Sequence, residues 1–192
     1  MGVLRITPFE NIEELKDFYC GIPEMDNFIH HSNGFILSLN NHYCKAFVVR
    51  NNAGKVIALF ALNFDSVQFD AENLDDIFSG FLSSTPNIDS EYKDVFMSKN
   101  HHPSLEITYL AVQKDVREKG IGKVLVDRIT SVAQQAFAGC EFLTVSAYHN
   151  ERYSAVGFYS KCQFSTLDIS KDSANTTRMF RILYPKQDIE ED

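Results

Sequence analysis

The sequence predicts one layered α/β domain, in which helices cover a central β-sheet. β-rich runs alternate with segments whose apolar residues recur at helical spacing. The middle of the chain reads as a strand, a glycine-containing turn and a helix, which is the unit from which such domains are built. With 192 residues, 44% of them hydrophobic and 23% charged, the chain can bury one sizeable core. We find neither an internal repeat nor a low-complexity linker, so we expect a single domain over residues 1–192.

The first third of the chain combines a short strand, a helix and a hairpin. Residues 3–7 predict an opening strand, and apolar residues at roughly helical spacing predict one helix over 23–40. The β-rich runs 46–49 and 56–62 flank Asn51-Asn52-Ala53-Gly54, a cluster typical of turns. These two runs therefore predict a β-hairpin.

Residues 65–103 look like an acidic insertion before the central strand. A short amphipathic helix around 74–82 is the one regular element expected within it. The insertion has eight acidic residues against two lysines, a surplus of six negative charges. Such a surplus fits either a solvated acidic face or a rim that attracts a cationic substrate.

The second half of the chain supplies the remaining strands and helices. The apolar run LEITYLAV predicts the central strand at 105–112, and the periodicity that follows predicts a helix at 121–137. Beyond it we expect strands at 142–145, 162–169 and 177–183, a helix at 150–161, and a disordered acidic tail at 185–192.

Charge and composition exclude several classes of protein. The formal net charge of −8 argues against a generalised nucleic-acid surface, and no apolar stretch is long enough for a membrane helix. The four cysteines lie far apart without a Cys-x-x-Cys pair, so we expect free thiols and no metal site. The histidine pairs 30/31 and 101/102 are expected on the surface. Without a signal peptide, the chain is expected to be cytoplasmic.

The turn at 117–123 is the clearest functional signal in the sequence. Its glycines let successive backbone N–H groups converge at a helix start, which suits a pyrophosphate. Five basic residues against three acidic ones make 113–128 a positive island in an acidic chain. Arg117 and Val124 stand where a Walker loop needs glycine and Ser or Thr, and Leu125 replaces the third glycine of a dinucleotide fingerprint. A purely structural turn is the alternative.

Two motifs identify the family that the chain resembles. Arg117-x-x-Gly120-x-Gly122 resembles the acetyl-CoA signature of the GNAT superfamily of N-acetyltransferases. Ala155-x-x-Phe158-Tyr159-x-Lys161-x-x-Phe164 resembles a later motif of the same family. The resemblance implies a GNAT-like mixed, mostly antiparallel central sheet flanked by helices, with the acidic insertion before the central strand.

The chain departs from the family pattern at two positions. Gln163 replaces the usual glycine before Phe164. Arg152 stands where many members carry an asparagine that contacts the cofactor, so Asn150, two residues earlier, is the candidate for that contact.

The resemblance implies transfer of an acetyl group from acetyl-CoA to a primary amine by direct attack in a ternary complex. No metal is implied. The backbone of Leu110, Ala111 and Val112 would hold the pantetheine, with the Leu110 amide near the thioester carbonyl. The remaining cofactor contacts would come from Arg117, Glu118, Lys119, Gly120, Ile121, Gly122, Lys123, Asn150 and Tyr159.

Two side chains are candidates for catalysis. Glu106 occupies the position of the general base in the similar strand of the histone acetyltransferase branch, where it would act through a water. Alternatively, it faces solvent or pairs with a neighbouring base. Tyr159 would donate a proton to the departing thiolate, or else it is simply a packed aromatic residue.

The run from Phe18 to Ile29 is similar to the opening of a bacterial GNAT subgroup. That subgroup includes toxins of toxin–antitoxin pairs, which acetylate the amino group of aminoacyl-tRNA. Three hypotheses follow: an amine acetyltransferase, a tRNA-acetylating toxin with an antitoxin partner, and a non-catalytic acyl-CoA-binding module. Dimerisation, which is common in the family, is a further expectation.

Overall fold

The computed structural model describes residues 4–31, 33–69, 78–79, 92–117, 119–136, 139–166 and 175–183. Within them, seven strands form one sheet in the order β1-β2-β3-β4-β5-β7-β6. All neighbouring pairs are antiparallel except β4–β5, which is parallel. The strands are β1 (Arg5–Pro8), β2 (Lys45–Arg50), β3 (Val56–Val67), β4 (His102–Val112), β5 (Phe142–Tyr148), β6 (Ser165–Thr166) and β7 (Thr176–Ile182).

Helices flank this sheet, so the predicted architecture is confirmed. Two short 3-10 turns, Ile12–Leu15 and Lys114–Val116, accompany the α-helices. The α-helices are α1 (Pro23–His30), α2 (Phe35–Asn40), α3 (Tyr92–Met97), α4 (Ile121–Ala136) and α5 (Val156–Lys161). In the part of the chain described, no helix has the length and apolar character needed to cross a membrane.

The predicted hairpin is confirmed as β2 and β3, and β3 is longer than the sequence pattern indicated. The Asn51 side chain accepts hydrogen bonds from the amides of Ala53 and Lys55, which closes the turn. Gly54 adopts the left-handed conformation with φ of +78°. β3 continues to Val67 because β4 pairs with it along its whole length.

The single helix predicted over 23–40 is wrong, because the chain forms two helices there. His31 has extended backbone angles and ends α1. The chain then folds back so tightly that a Cβ on Gly34 would lie 2.1 Å from the Phe28 carbonyl oxygen. The apolar residues keep helical spacing on both sides of this break, so the periodicity alone could not reveal it.

Other boundaries also differ from the prediction, among them that of the strand expected at 162–169, which begins only at Ser165 because Cys162 still caps the preceding helix. The helix expected at 150–161 begins only at Val156, because residues 149–155 form a loop closed by a β-bridge between His149 and Ser154. Both ends of the insertion predicted at 65–103 lie in strands, since β3 runs to Val67 and β4 starts at His102, and the insertion itself stays a prediction. Most of the insertion, including most of its predicted helix, lies outside the described residues, as does the tail 185–192.

The sheet opens into a fork between β4 and β5. These strands pair only where Ser104–Ile107 face Phe142–Val145. A register shift between β3 and β4 follows Ile107, where Thr108 has no partner residue on β3. Beyond this bulge β4 continues to Val112 beside β3 alone, so its other edge lines the opening.

Each face of the sheet carries its own apolar core. On one face, α4 buries Leu125, Val126 and Ile129 against Leu105 and Ile107. On the opposite face, α1 and α2 form a second cluster with β2, β3 and β4, and an aromatic cluster that includes Phe96 and Phe142 lies at the far end.

One histidine expected on the surface is buried instead. His102 is 1% exposed, and its Nδ1 lies 2.7 Å from Glu141 Oε2. Tyr92 and Lys99 also donate hydrogen bonds to the Glu141 carboxylate. This network compensates for burial of the charge and links α3 to the starts of β4 and β5. All four cysteines are free, as expected.

Candidate functional site

A cavity of about 480 Å³ occupies the fork between β4 and β5. Its walls come from both faces of the sheet, so it passes through the opening rather than lying on one surface. The lining residues are Cys20, Ile22, Met25, Leu110, Ala111, Val112, Val116, Arg117, Gly120, Ile121, Gly122, Lys123, Tyr153, Ser154, Ala155, Phe158, Tyr159, Lys161 and Cys162.

The glycine turn forms one mouth of this cavity. Gly120 has φ of +78°, a conformation that residues with a Cβ rarely adopt. It places the start of α4, with its free amide groups, at the cavity wall. A Cβ on Gly122 would lie 3.1 Å from two ring atoms of Phe158, so glycine there lets α4 and α5 approach closely. The turn thus offers converging N–H donors to an anion.

Arg117 carries an unsatisfied donor at this mouth. Among the described residues, its buried Nη2 atom has no hydrogen-bond partner. A buried guanidinium donor without a partner is costly unless a ligand supplies an acceptor. Arg117 therefore fits the anionic end of a ligand.

The opening motif at 18–29 builds the wall contributed by α1. The Asp26 carboxylate accepts hydrogen bonds from the amides of Cys20, at 2.7 Å, and Gly21, at 2.9 Å. Gly21 has φ of +77°, and the neighbouring Tyr19 carbonyl accepts the Lys114 amide. This arrangement brings Cys20, and with it Ile22, to the cavity.

Tyr159 reaches the cavity from α5 on the face covered by α4. Its side chain is 6% exposed. Burial, reinforced by the neighbouring Tyr153 and Cys162, raises the pKa of the Tyr159 phenol above its ordinary value. The hydroxyl therefore stays protonated at neutral pH and is available as a donor.

Glu106 lies on the opposite face of β4, at the narrow end of the fork, outside the cavity lining. Burial raises the pKa of its carboxyl, although the neighbouring Thr108 side chain lowers it. The Arg178 guanidinium donates a hydrogen bond to this carboxyl at 2.7 Å and also pairs with Asp65. Of the two alternatives to catalysis, pairing with a neighbouring base is therefore what the structure shows, and a role as base stays a prediction.

Asn150 organises the loop beside the cavity. Its Oδ1 accepts the amides of Arg152 and Tyr153, and its Nδ2 donates to Tyr148 and to Glu24 of α1. It does not line the cavity.

The other proposed cofactor residues divide into two groups. Leu110, Ala111, Val112, Arg117, Gly120, Ile121, Gly122 and Lys123 surround the cavity together with Tyr159. Lys119 is exposed outside the lining, and Glu118 lies outside the described residues.

Sequence reasoning missed two parts of the site. Cys20, Ile22 and Met25 line the cavity, although the run 18–29 was related to a GNAT subgroup without being assigned to the cofactor site. Asp65 and Arg178 carry no signal at all, because they lie on strands far apart in sequence. In the part of the chain described, no group of three or more His, Cys, Asp or Glu residues could hold a metal ion.

Comparison with protein-family models supports membership of a known family. Residues 43–166, more than half of the chain, match the family model described as "Acetyltransferase (GNAT) domain". No curated protein sequence matches the chain significantly.

Solved structures share the fold across nearly the whole chain. The structure of AtaTR bound with acetyl-CoA matches this chain with a TM-score of 0.64 and 20% sequence identity. The match covers 94% of this chain and 94% of that one. A tyrosine-to-phenylalanine mutant of KacT has a TM-score of 0.63 at 17% identity, covering 94% of this chain and 95% of that one. AtaT complexed with acetyl-methionyl-tRNAfMet has a TM-score of 0.61 at 18% identity, covering 91% of this chain and 94% of that one.

Proposed function

The chain belongs to the GNAT acetyltransferase family, and we propose that it transfers the acetyl group of acetyl-CoA to a primary amine by direct attack in a ternary complex. The observation that carries this proposal is the cavity in the β4–β5 fork, which joins the glycine turn to Tyr159. It offers an anion-binding mouth, a free strand edge and a buried phenol in one continuous space.

The two ends of the cofactor would use different groups of this chain. The amides at the start of α4 and the unsatisfied Arg117 donor would hold the pyrophosphate. The edge of β4 from Leu110 to Val112 faces the opening and would pair with the pantetheine amides as an added strand pairs with a sheet. A hydrogen bond from the Leu110 amide would then favour the charge that develops on the thioester oxygen.

The acceptor amine must lose a proton before it attacks. A lysine-like amine has a pKa of about 10.4, roughly 3.4 units above pH 7. Forming the neutral amine at pH 7 therefore costs about 4.6 kcal/mol. Glu106 is the proposed base, acting through a water. Glu106 and Asp65 carry two negative charges against the single positive charge of Arg178. These three side chains would therefore attract the protonated amine before it loses its proton.

The departing thiolate needs a proton when the C–S bond breaks. Tyr159 lines the cavity from the face of the sheet opposite Glu106, and from there it would donate this proton. Cys20 also lines the cavity, but burial raises the pKa of its thiol to about 11. A thiol that stays protonated is a poor nucleophile, which supports direct attack without a covalent enzyme intermediate.

Calorimetric titration with acetyl-CoA tests the cofactor, with ATP and NAD as negative controls. We expect selective micromolar binding of acetyl-CoA. Folded protein free of copurified CoA that binds none of it would refute the proposal. Binding without acetyl transfer to any amine in a broad screen would instead leave the acyl-CoA-binding module as the function.

A second candidate acceptor is the amino group of an aminoacyl-tRNA. Two observations support it: the 18–29 motif forms part of the cavity wall, and one structural neighbour is AtaT complexed with acetyl-methionyl-tRNAfMet. The net charge of −8 stands against it, because phosphate contacts supply much of nucleic-acid affinity. Acetylation of aminoacyl-tRNA in preference to free amines, with growth arrest on expression, would favour this acceptor.

A further inference from the structure

Three charged side chains from three strands meet at the narrow end of the fork. Arg178 Nη1 of β7 donates to Glu106 Oε1 of β4 at 2.7 Å, and Nη2 donates to the Asp65 carboxylate of β3. Two hydroxyl groups complete the arrangement. Thr144 Oγ1 donates to Asp65 Oδ2 at 2.6 Å, and Ser146 Oγ accepts from Arg178 Nη1 at 3.3 Å.

The register of the sheet fixes this cluster at the point where β4 and β5 separate. Their last paired residues are Ile107 and Val145, and Ser146 is the next residue of β5. Arg178 stands opposite Ser146 on β7, so its guanidinium extends across β5 to reach β4 and β3. By strand register, the cluster lies on this face of the sheet between Tyr109, which packs on the α1–α2 core, and Phe142 of the aromatic cluster.

The cluster is only partly screened from solvent. The side chains of Arg178, Asp65 and Glu106 are 17%, 22% and 19% exposed. They therefore interact more strongly than surface ion pairs, yet water and a small amine can still reach them.

We propose that Arg178 is a positioning residue for the acceptor side of the reaction: its guanidinium fixes the Glu106 carboxylate at the fork and favours the ionised carboxylate over the protonated one. This inference rests on the proposed function. The Asp65 carboxylate accepts from the other side of the guanidinium. With a carboxylate on each side, the plane of the Arg178 guanidinium is held in one orientation. When Glu106 takes a proton from the acceptor, Arg178 keeps Asp65 as its counterion and no isolated charge is left behind.

The surroundings of Glu106 explain why one guanidinium matters. Among the described residues, Asp65 shares the Arg178 guanidinium with Glu106, and the charge of Glu106 acts on the nearby Cys44 and Tyr109. Asp65 carries the same charge as Glu106, and burial disfavours the ionised carboxylate further. Without Arg178, Glu106 would hold its proton to a higher pH, so a smaller fraction of it would be ionised at neutral pH.

The experiment compares Arg178→Met with Arg181→Met in acetyl transfer to a primary amine substrate. Arg181 is a matched control, because it lies on the same strand and is also 17% exposed but pairs with Asp127 on the opposite face. The measurements are kcat, KM for each substrate, and kcat/KM from pH 5 to 10. Circular dichroism and thermal unfolding verify that each variant is folded.

For Arg178→Met we expect kcat to fall at least 10-fold at pH 7, with KM for acetyl-CoA within twofold of wild type. The acid limb of the kcat/KM profile should move upward by about one pH unit or more. Arg181→Met should keep the wild-type profile. An Arg178→Met enzyme with wild-type kcat and an unshifted acid limb would overturn the inference.

Two conservative variants keep the inference testable if Arg178→Met does not fold. Arg178→Lys retains the charge but not the two-sided set of donors, so kcat should fall while the acid limb stays in place. Asp65→Asn should lower kcat by misplacing the guanidinium, and wild-type kinetics in both would overturn the inference. A wild-type protein that acetylates no amine refutes the proposed function itself, which separates the two failures.

Discussion

At the scale of single residues, Tyr159 and Gly120 have separable roles, because one lies at the chemical step and the other at the anion-binding mouth. Tyr159 is a buried phenol held away from water. Gly120 contributes only a backbone conformation, and a Cβ there would meet no atom within 4 Å. Substitutions at the two positions should therefore affect different kinetic constants.

Tyr159→Phe should lower kcat by about 10²-fold or more while leaving the affinity for acetyl-CoA nearly unchanged, because only the proton donor is lost. Steady-state kinetics together with calorimetry measure both constants. Tyr153→Phe is the control, since it removes another phenol of the same cavity. An unchanged turnover number in Tyr159→Phe would refute the assignment of the acid.

Gly120→Val should abolish acetyl-CoA binding in a folded protein. A φ of +78° costs a residue with a Cβ about 1–2 kcal/mol, so the turn is expected to rearrange and its amides to lose their convergence. Gly54→Val places the same strain in the β2–β3 hairpin, far along the chain from the cavity, and should leave binding intact. Tight binding of acetyl-CoA by Gly120→Val would contradict the phosphate-binding role of the turn.

At the scale of elements, one buried carboxylate, that of Glu141, adds a polar link between α3 and the sheet to the packing of Phe96. Burial opposes ionisation of Glu141, but hydrogen bonds from His102, Lys99 and Tyr92 outweigh it and lower the pKa of Glu141 to about 2. The folded protein therefore stabilises the ionised Glu141 carboxylate relative to the unfolded chain.

This pKa shift predicts how stability depends on pH. Ionised Glu141 contributes about 3 kcal/mol to the free energy of unfolding. This contribution is complete above the ordinary pKa of 4.5 and is lost as the pH falls toward 2. Glu141→Gln should lower the free energy of unfolding at pH 7 by a comparable amount. Its loss of stability between pH 4.5 and pH 2 should be smaller than that of wild type. Denaturant unfolding across this range measures both effects, and parallel curves for the two proteins would show that the network contributes no such linkage.

The bulge in β4 is the element on which the site depends most. β4 shifts register against β3 at Thr108 and separates from β5 after Ile107, so its two halves have different neighbours. Its first half is fully paired and holds Glu106, whereas its second half presents a free edge to the cavity. A regular strand paired on both sides would leave no room for a cofactor.

At the scale of the whole molecule, the cavity lies where helices from both faces meet, so a ligand bound there should stabilise the entire fold. Acetyl-CoA at about 100 times its Kd should raise the free energy of unfolding by about 2.7 kcal/mol. For a chain of this length, that corresponds to an increase in Tm of about 5–10 °C. Thermal unfolding with equal concentrations of acetyl-CoA, ATP and NAD measures the effect. An equal shift with ATP would show that the cavity does not select the cofactor.

The sequence by itself determined the architecture, the hairpin, the glycine turn and the position of Tyr159. The first three follow from patterns local in the chain, such as the alternation of apolar residues, turn-forming clusters and glycines at a helix start, whereas Tyr159 was identified through the motif at 155–164 that resembles the family. The sequence could not place the break between α1 and α2. The break depends on the close approach of Gly34 to Phe28, and the apolar residues on both sides of it keep helical spacing.

Only the tertiary structure decided what surrounds Glu106. Its partner Arg178 lies 72 positions away in the sequence, and Asp65, which pairs with Arg178, lies 41 positions away. The three come together only through the register of β3, β4, β5 and β7. The burial of His102 against Glu141 is likewise a consequence of strand pairing. Local propensity acts over a few residues, whereas charge neutralisation in a sheet depends on which strands become neighbours, and no periodicity within one segment encodes that choice.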